Sequence, residues 1–340
     1  MEVQIKFWTI LTFLALFIVV LTLKLGYMEH SFSTIFQTLL NSDSNESLSY
    51  LLWELRIPRM LAAFAVGAIL ALSGAILQSI LRNPLASPFT LGLSQGAAFG
   101  ASFSIIVLGS ATISIGFFQD ISLVVVGAFL GAIVSSLLVL GFSMIKNISS
   151  EGLILAGVAI AAFFNAATML LQYFSTDNQL ATAVFWTFGD LSKGKWTEIL
   201  LVFIFWLGGM IFVFIRGWDF NTIVWGETHA KSLGVKIWSL RIYALLVASL
   251  LTAIATAFFG IIGFVGLIAP HIIKLIFENQ KHHFIFFASS ILGGIFLMAA
   301  DLLAKEILSP ISVPVGILTA FTGVPLFLFI LIRRVMRGRN

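Results

Sequence analysis

A chain of 340 residues would ordinarily make about two globular domains. With 59% hydrophobic and 10% charged residues and a mean hydropathy of +1.07, a water-soluble fold is excluded, and a polytopic membrane protein with no large soluble domain is implied. The net charge of +4 at pH 7 is too modest to mark a nucleic-acid binder and reports membrane sidedness, while the lack of cysteine excludes disulfides, iron–sulfur clusters and thiol chemistry.

A helix needs about 20 residues to cross hydrocarbon. Apolar runs of that order predict an all-α chain of ten spans near residues 7–26, 58–81, 89–109, 121–143, 152–174, 197–215, 241–259, 262–277, 284–304 and 314–333. The apolar core of the first, 7–23, is too long for a signal peptide and lacks a small-x-small cleavage site, so it is expected to be retained. The link at 30–55 is amphipathic at 32–40 and polar at 41–49.

The second and third spans flank a polar hairpin, Arg82-Asn83-Pro84-Leu85-Ala86-Ser87-Pro88, whose two prolines forbid a continuous helix. Pro58 stands at a first helical position, where a missing N–H costs nothing, with Arg56 and Arg59 beside it. Gly67, Ala71, Gly74 and Ala75, then Gly92, Gly96 and Gly100, recur at the spacing that lets membrane helices pack closely.

With the N-terminus inside, most of the nineteen Lys and Arg residues fall on the cytoplasmic side, as the positive-inside rule requires. An even number of spans puts the basic C-terminal end there too. Residues 180–188 lie outside and are too short to cross, which predicts a re-entrant or surface helix. Residues 217–240 form the longest cytoplasmic segment, where 227–233 predicts one short helix stopped by Gly234. Pro270 interrupts the span at 262–277 and predicts a kink. The last span starts at Pro314 and contains Gly323 and Pro325. Such breaks mark transport pathways, or merely the frequency of Gly and Pro in membrane helices.

The chain contains no G-x-x-x-x-G-K-[ST] phosphate loop, so any ATP that drives it, with its magnesium, must be held by another chain. His30, His229, His271, His282 and His283 are scattered, and no metal site is expected; His282-His283 reads as a solvated pair at the membrane interface. Asp301 is the one acid near a span interior, and a local pair with Lys305 four residues on is expected. So few intramembrane acids argue against a proton-driven carrier. No nucleophile or ligand set suggests a membrane enzyme.

Four blocks carry a resemblance. The first is Ile57-Pro58-Arg59, Gln78, the Arg82-Asn83-Pro84-Leu85-Ala86 hairpin and Leu91-Gly92-Leu93-Ser94-Gln95-Gly96-Ala97. The second starts Gly226-Glu227 and holds Ala230, Leu233-Gly234-Val235. The third is Gly263-Phe264-Val265-Gly266-Leu267 with Pro270-His271, and the fourth Pro314-Val315-Gly316, Thr319-Ala320 and Gly323-Val324-Pro325. In this order they resemble the permease subunits of binding-protein-dependent ABC importers for iron–siderophores, haem and cobalamin.

The resemblance implies a type II ABC importer permease fold in a bacterial or archaeal cytoplasmic membrane. It implies a non-catalytic subunit with both termini cytoplasmic, in a homo- or heterodimer with the pathway between subunits. Two cytoplasmic ATPases and an extracytoplasmic binding protein would complete the importer, and a ferric siderophore would be the cargo, with haem, cobalamin or an oxyanion as alternatives. A stand-alone secondary carrier is the alternative of another class.

The resemblance also implies residue roles. Arg56, Arg59 and Lys305 would meet acidic residues of the binding protein, although Arg56 could instead anchor against Glu54 or snorkel at the headgroups. Gly226, Glu227, Ala230, Leu233 and Gly234 would form the coupling segment in a groove of the ATPase. Asn83, Leu85 and Ser150 would gate the cytoplasmic end, with a simple turn role for Asn83 as the alternative. Ser87 and Ser312 depart from the family, which commonly has an acid at the first position and Glu at the second.

Overall fold

The computed structural model describes residues 2–25, 31–40, 45–109, 111–115, 118–145, 149–277, 280–309 and 311–337. His30, Lys146, the polar stretch 41–44 and Arg339 lie outside them. Among the described residues, ten apolar helices correspond to the ten expected spans: α1 (Glu2–Lys24), α4 (Ile57–Ile80), α5 (Leu93–Phe103), α6 (Leu123–Ser143), α7 (Ser150–Tyr173), α9 (Trp196–Ile215), α12 (Ile237–Phe259), α13 (Val265–Ile276), α14 (His282–Glu306) and α15 (Val315–Arg337). Seven of them are long and apolar enough to cross a membrane. The three shorter ones are α13, α15 over its first fifteen residues, and α5, which a π-helical turn extends to Leu108.

Short elements join them. The helices α2 (Phe32–Leu40) and α3 (Glu46–Tyr50) follow α1, α8 (Asp177–Thr187) precedes α9, and α10 (Gly217–Ile223) and α11 (Glu227–Ser232) lie between α9 and α12. Two features depart from the expectation. A small antiparallel hairpin, β1 (Thr112–Ile115) with β2 (Phe118–Ser122), joins α5 to α6. The second span also starts earlier than expected, because α3 runs through a π-helical stretch, Leu51–Arg56, directly into α4.

The core is α4, surrounded by α9, α12, α13 and α14. Its residues are small or apolar all round, the pattern of a helix with no solvent face, and nearly all are buried. Lipid gives helices no hydrophobic drive to associate, so contact depends on how closely the backbones approach. A Cβ placed on Gly67 would lie 2.3 Å from the Gly293 carbonyl oxygen, and one on Gly74 1.7 Å from that of Gly266. The α5–α6 pair repeats the device: a Cβ on Gly100 would lie 1.9 Å from the Gly127 carbonyl oxygen. Hydroxyls add bonds between helices, from Ser73 to the Ala248 carbonyl at 2.7 Å and from Ser290 to that of Ala68 at 2.9 Å.

Overpacking ordinarily costs about 1–3 kcal/mol, and here the obstructing atom is backbone and cannot turn aside. Gly74→Val is therefore expected to abolish a monodisperse folded species in detergent. Gly141→Ala, in open space on α6, should leave the melting temperature unchanged. Size-exclusion chromatography during heating checks both.

Three breaks in the chain converge. The turn between α12 and α13 holds Gly260 and Phe264 at positive φ, 74° and 66°. The turn after α8 passes beside it, Asp190 donating its N–H to the Phe259 carbonyl at 2.9 Å. A Cβ on Gly316, at the start of α15, would meet the carbonyl oxygens of Phe188 and Ile261 at 2.3 and 2.5 Å. The short segment at 180–188 thus lies almost wholly within α8, a helix capped by Thr176, and ends packed against two other breaks. Pro270 lies inside α13 and Pro325 inside α15; the interruption in this region is the turn before α13.

Candidate functional site

The residues implied by the resemblance occupy three places. At the end expected to face outward, α4 and α14 bring Arg59, Asp301 and Lys305 together. Asp301 is 2% exposed. Arg59 donates from Nε to Oδ1 at 3.0 Å and from Nη2 to Oδ1 at 2.9 Å, while Lys305 reaches Oδ2 at 2.8 Å. The expected pair of Asp301 and Lys305 forms, and Arg59, 242 residues away in the chain, completes a triad. Arg56, one helical turn before Arg59, is buried and donates to the Leu23 carbonyl at the end of α1. A buried carboxylate needs paired cations to offset its lost hydration, and two are present. Ser312 is exposed near this end, in the turn before α15.

At the opposite end of α4 lies the hairpin. Arg82 adopts a left-handed conformation, φ 48°, and the Asn83 side-chain oxygen accepts the Leu85 N–H at 2.8 Å. Asn83 therefore shapes the turn, as Asx residues do. Ser87, where the resemblance implies an acid, is buried. Its N–H goes to the Thr90 hydroxyl at 2.9 Å, and the Thr90 N–H returns to its own hydroxyl at 3.1 Å. Leu85 is exposed. The hairpin meets α7 where Leu91 packs on Gly157. Ser150 is the first residue of α7, whose cap is Ser149, and among the described residues no hydrogen bond joins it to Asn83 or Leu85. A small cavity, about 20 Å³ and room for roughly one water, lies beyond the hairpin between Ser87, Phe89, Ser94, Thr256 and Phe264.

The segment expected to couple to an ATPase comprises α10, α11 and the turn into α12. The expected short helix with its stop at Gly234 is present as α11. The Gly234 N–H bonds the Lys231 carbonyl at 3.0 Å and the Val235 N–H that of Ala230 at 3.0 Å, the paired bonds of a Schellman stop. This closure needs the left-handed backbone of Gly234, φ 85°. Ala230 and Val235 are buried against each other's surroundings, and Leu233 points outward, exposed. Gly226 starts α11 at φ 111°.

Two ties fix this segment to the spans. Glu227 accepts Arg241 Nη2 at 2.6 Å, joining α11 to the second turn of α12. The Asn221 side-chain oxygen on α10 accepts the His282 backbone N–H at 2.8 Å and its ring Nδ1–H at 3.0 Å, joining α10 to the start of α14. His283 Nε2 donates to the Phe214 carbonyl at 3.0 Å and fills the space over Gly217. This corrects the expectation of a solvated histidine pair: His282 is buried, and both rings hold the corner between α9 and α10. The apolar sequence after His283 concealed this, because the partner Asn221 lies 61 residues upstream. Asn221→Leu is accordingly expected to lower the melting temperature, leaving an unpaired backbone N–H worth about 1–3 kcal/mol, whereas Asn221→Asp should not, since it keeps the acceptor. Thermal denaturation of the two variants checks this.

The FecCD transport family matches residues 14–333. The chain belongs to that family. It is 44% identical over 295 residues to an ABC transporter permease protein of Methanocaldococcus jannaschii, covering 86% of this chain and 84% of the relative. It is 33% identical over 324 residues to the hemin transport system permease protein of Yersinia pestis, covering 95% of each. Other relatives are named as iron chelatin and vitamin B12 permeases. A solved structure described as an inward-facing metal-chelate type ABC transporter superposes with a TM-score of 0.81 at 30% identity, over 96% of this chain and 99% of that one. This FecCD chain is thus a multi-pass ABC importer permease, a transport subunit, with the all-α fold of that class.

Sequence reasoning missed Arg59 as a partner of Asp301, Asn221 as a partner of His282, and Arg241 as a partner of Glu227. For Asp301 a signal existed. An acid buried in an apolar span calls for cationic partners, and among the described residues the arginines at that end of the bundle are Arg56 and Arg59.

Proposed function

We propose that this FecCD permease is the membrane-spanning half of an ATP-driven, binding-protein-dependent importer, and that its cargo is a ferric siderophore. Two copies, or this chain and a related one, enclose the pathway in a cytoplasmic membrane. An extracytoplasmic binding protein docks on the end bearing Arg56, Arg59 and Lys305, and two ATPases that hold ATP and magnesium dock on α10 and α11. Both termini then lie in the cytoplasm. Asn83, Leu85 and Ser150 narrow the cytoplasmic mouth. The chain carries out no covalent chemistry.

The observation that carries this reading is the pair of ties at Glu227 with Arg241 and at Asn221 with His282. A short helix moved by a partner transmits force only if it is fixed to what must move. Here α11 is fixed to α12 and α10 to α14, and both spans pack on α4. The docking reading is supported by the gathering of three cations at one end. Because Asp301 neutralises part of that charge, their contribution lies in orienting the partner rather than in holding it. The iron-chelate cargo is supported by relatives named for hemin and iron chelatin. A vitamin B12 relative keeps cobalamin as the second reading.

The test is the ATPase activity of the assembled importer in lipid, titrated with binding protein loaded with a ferric siderophore, haem or cobalamin. Stimulation by the ferric siderophore is expected. Stimulation by cobalamin alone would replace the cargo and leave the architecture standing.

A further inference from the structure

We propose that α2 is an interfacial membrane helix, which lays Phe32, Phe36 and Leu40 into the lipid leaflet at the C-terminal end of α1. The three residues recur every fourth position and form one stripe. They are 53%, 63% and 74% exposed in a nine-residue helix that otherwise buries its apolar side chains. At about 100° per residue the apolar arc is continuous. Its inner half faces the protein: Ile35 forms a buried cluster with Leu48 and Leu52, against which Leu39 and Leu23 pack. Its outer half is the stripe, and Ser33 and Gln37 follow on the next face round.

The level of the helix identifies lipid as what covers the stripe. Leu23, in the last turn of α1, packs beneath α2. Val20 and Phe17, one and two turns earlier, are exposed on a helix that keeps only Leu11, Ile18 and Thr22 buried, so that face of α1 meets acyl chains. The stripe continues this surface at the height where the span ends. The Lys24 ammonium lies 4.7 Å from the Phe32 ring centroid, the position of a cation that has risen to the headgroups over an aromatic ring set just below. No charged residue occurs in α2, so nothing there would steer a protein partner by charge. Ser31 caps the helix, accepting the Thr34 N–H at 3.2 Å, and the Thr38 hydroxyl returns to the Thr34 carbonyl at 2.9 Å, so the polar side is satisfied without a partner. An amphipathic helix with phenylalanine on one side and uncharged polar groups on the other is suited to lie in the plane of the interface.

The chain has no cysteine, so single labels can be introduced without background. Ser33→Cys, Phe36→Cys, Gln37→Cys and Leu40→Cys, each carrying a nitroxide, are reconstituted in phosphatidylcholine vesicles. Collision rates are then measured with oxygen, which partitions into lipid, and with a water-soluble nickel chelate. The oxygen-to-nickel ratio is expected to be high at 36 and 40, low at 37 and intermediate at 33, which projects about 20° from Leu40. Equal, nickel-accessible labels at all four positions would put the stripe in water and overturn the proposal. Suppression of both collisions at 36 and 40 would mean that protein covers it, and would overturn the proposal equally. If Phe36→Cys does not fold, Leu40→Cys, at the most exposed position, gives the answer with its neighbour Gln37→Cys.

Discussion

Asp301→Ala is expected to remove about 3–5 kcal/mol of stability, the cost of breaking a buried ion pair from one side. Asp301 is almost wholly buried and receives both Arg59 and Lys305. Its loss leaves two cations at the same place with nothing to neutralise them. A surface pair would give about 0–1 kcal/mol, so the magnitude distinguishes the two regimes. Replacing all three groups together, as Arg59→Met, Asp301→Leu and Lys305→Met, is expected to recover most of the loss, because well-packed apolar residues often match a buried ionic cluster. Thermal denaturation in detergent measures both. A single variant that melts with the wild type would show that the carboxylate is solvated.

Glu227→Lys is expected to act in the opposite manner, with little change in stability and a large loss of function. The Glu227 side chain is 43% exposed, so its pair with Arg241 gives at most about 1 kcal/mol. A lysine there repels Arg241 and frees α11 from α12. Substrate-stimulated ATPase activity of the assembled importer should fall by about tenfold or more, equivalent to about 1.4 kcal/mol of lost coupling. The exchanged pair, Glu227→Arg with Arg241→Glu, should restore much of it. Gly234→Arg should behave like the lysine variant, because the left-handed backbone that closes α11 disfavours any side chain, although open space surrounds it. If the exchanged pair is no better than Glu227→Lys, contact with the partner rather than the tie to α12 decides coupling.

Local physics made much of the fold legible in the sequence. Span length located the ten helices, and the prolines and glycines at 58, 84, 88 and 234 placed the turns and the stop, because each acts through its own backbone. The π-helical approach to α4 was not legible: Leu51–Arg56 is apolar enough to continue a helix, and nothing local sets its register. The β1–β2 hairpin was also missed, since a few alternating residues beside long apolar runs carry a weak signal. At the candidate site, chain order concealed the partners. Arg59 and Asp301, Asn221 and His282, and Gly74 and Gly266 meet only once the bundle is assembled, and one sequence does not show which helices are neighbours. Asn83 was legible in both of its readings, and its bond to Leu85 supports the turn.

This permease is expected to conduct only when another chain supplies the work. The direct measurement is uptake of radioactive ferric siderophore into sealed proteoliposomes that contain this FecCD chain with or without its ATPase, in the presence of loaded binding protein and ATP. Accumulation is expected only when the ATPase is present and ATP is on its side of the membrane. Accumulation by vesicles holding this chain without the ATPase would show that it transports alone.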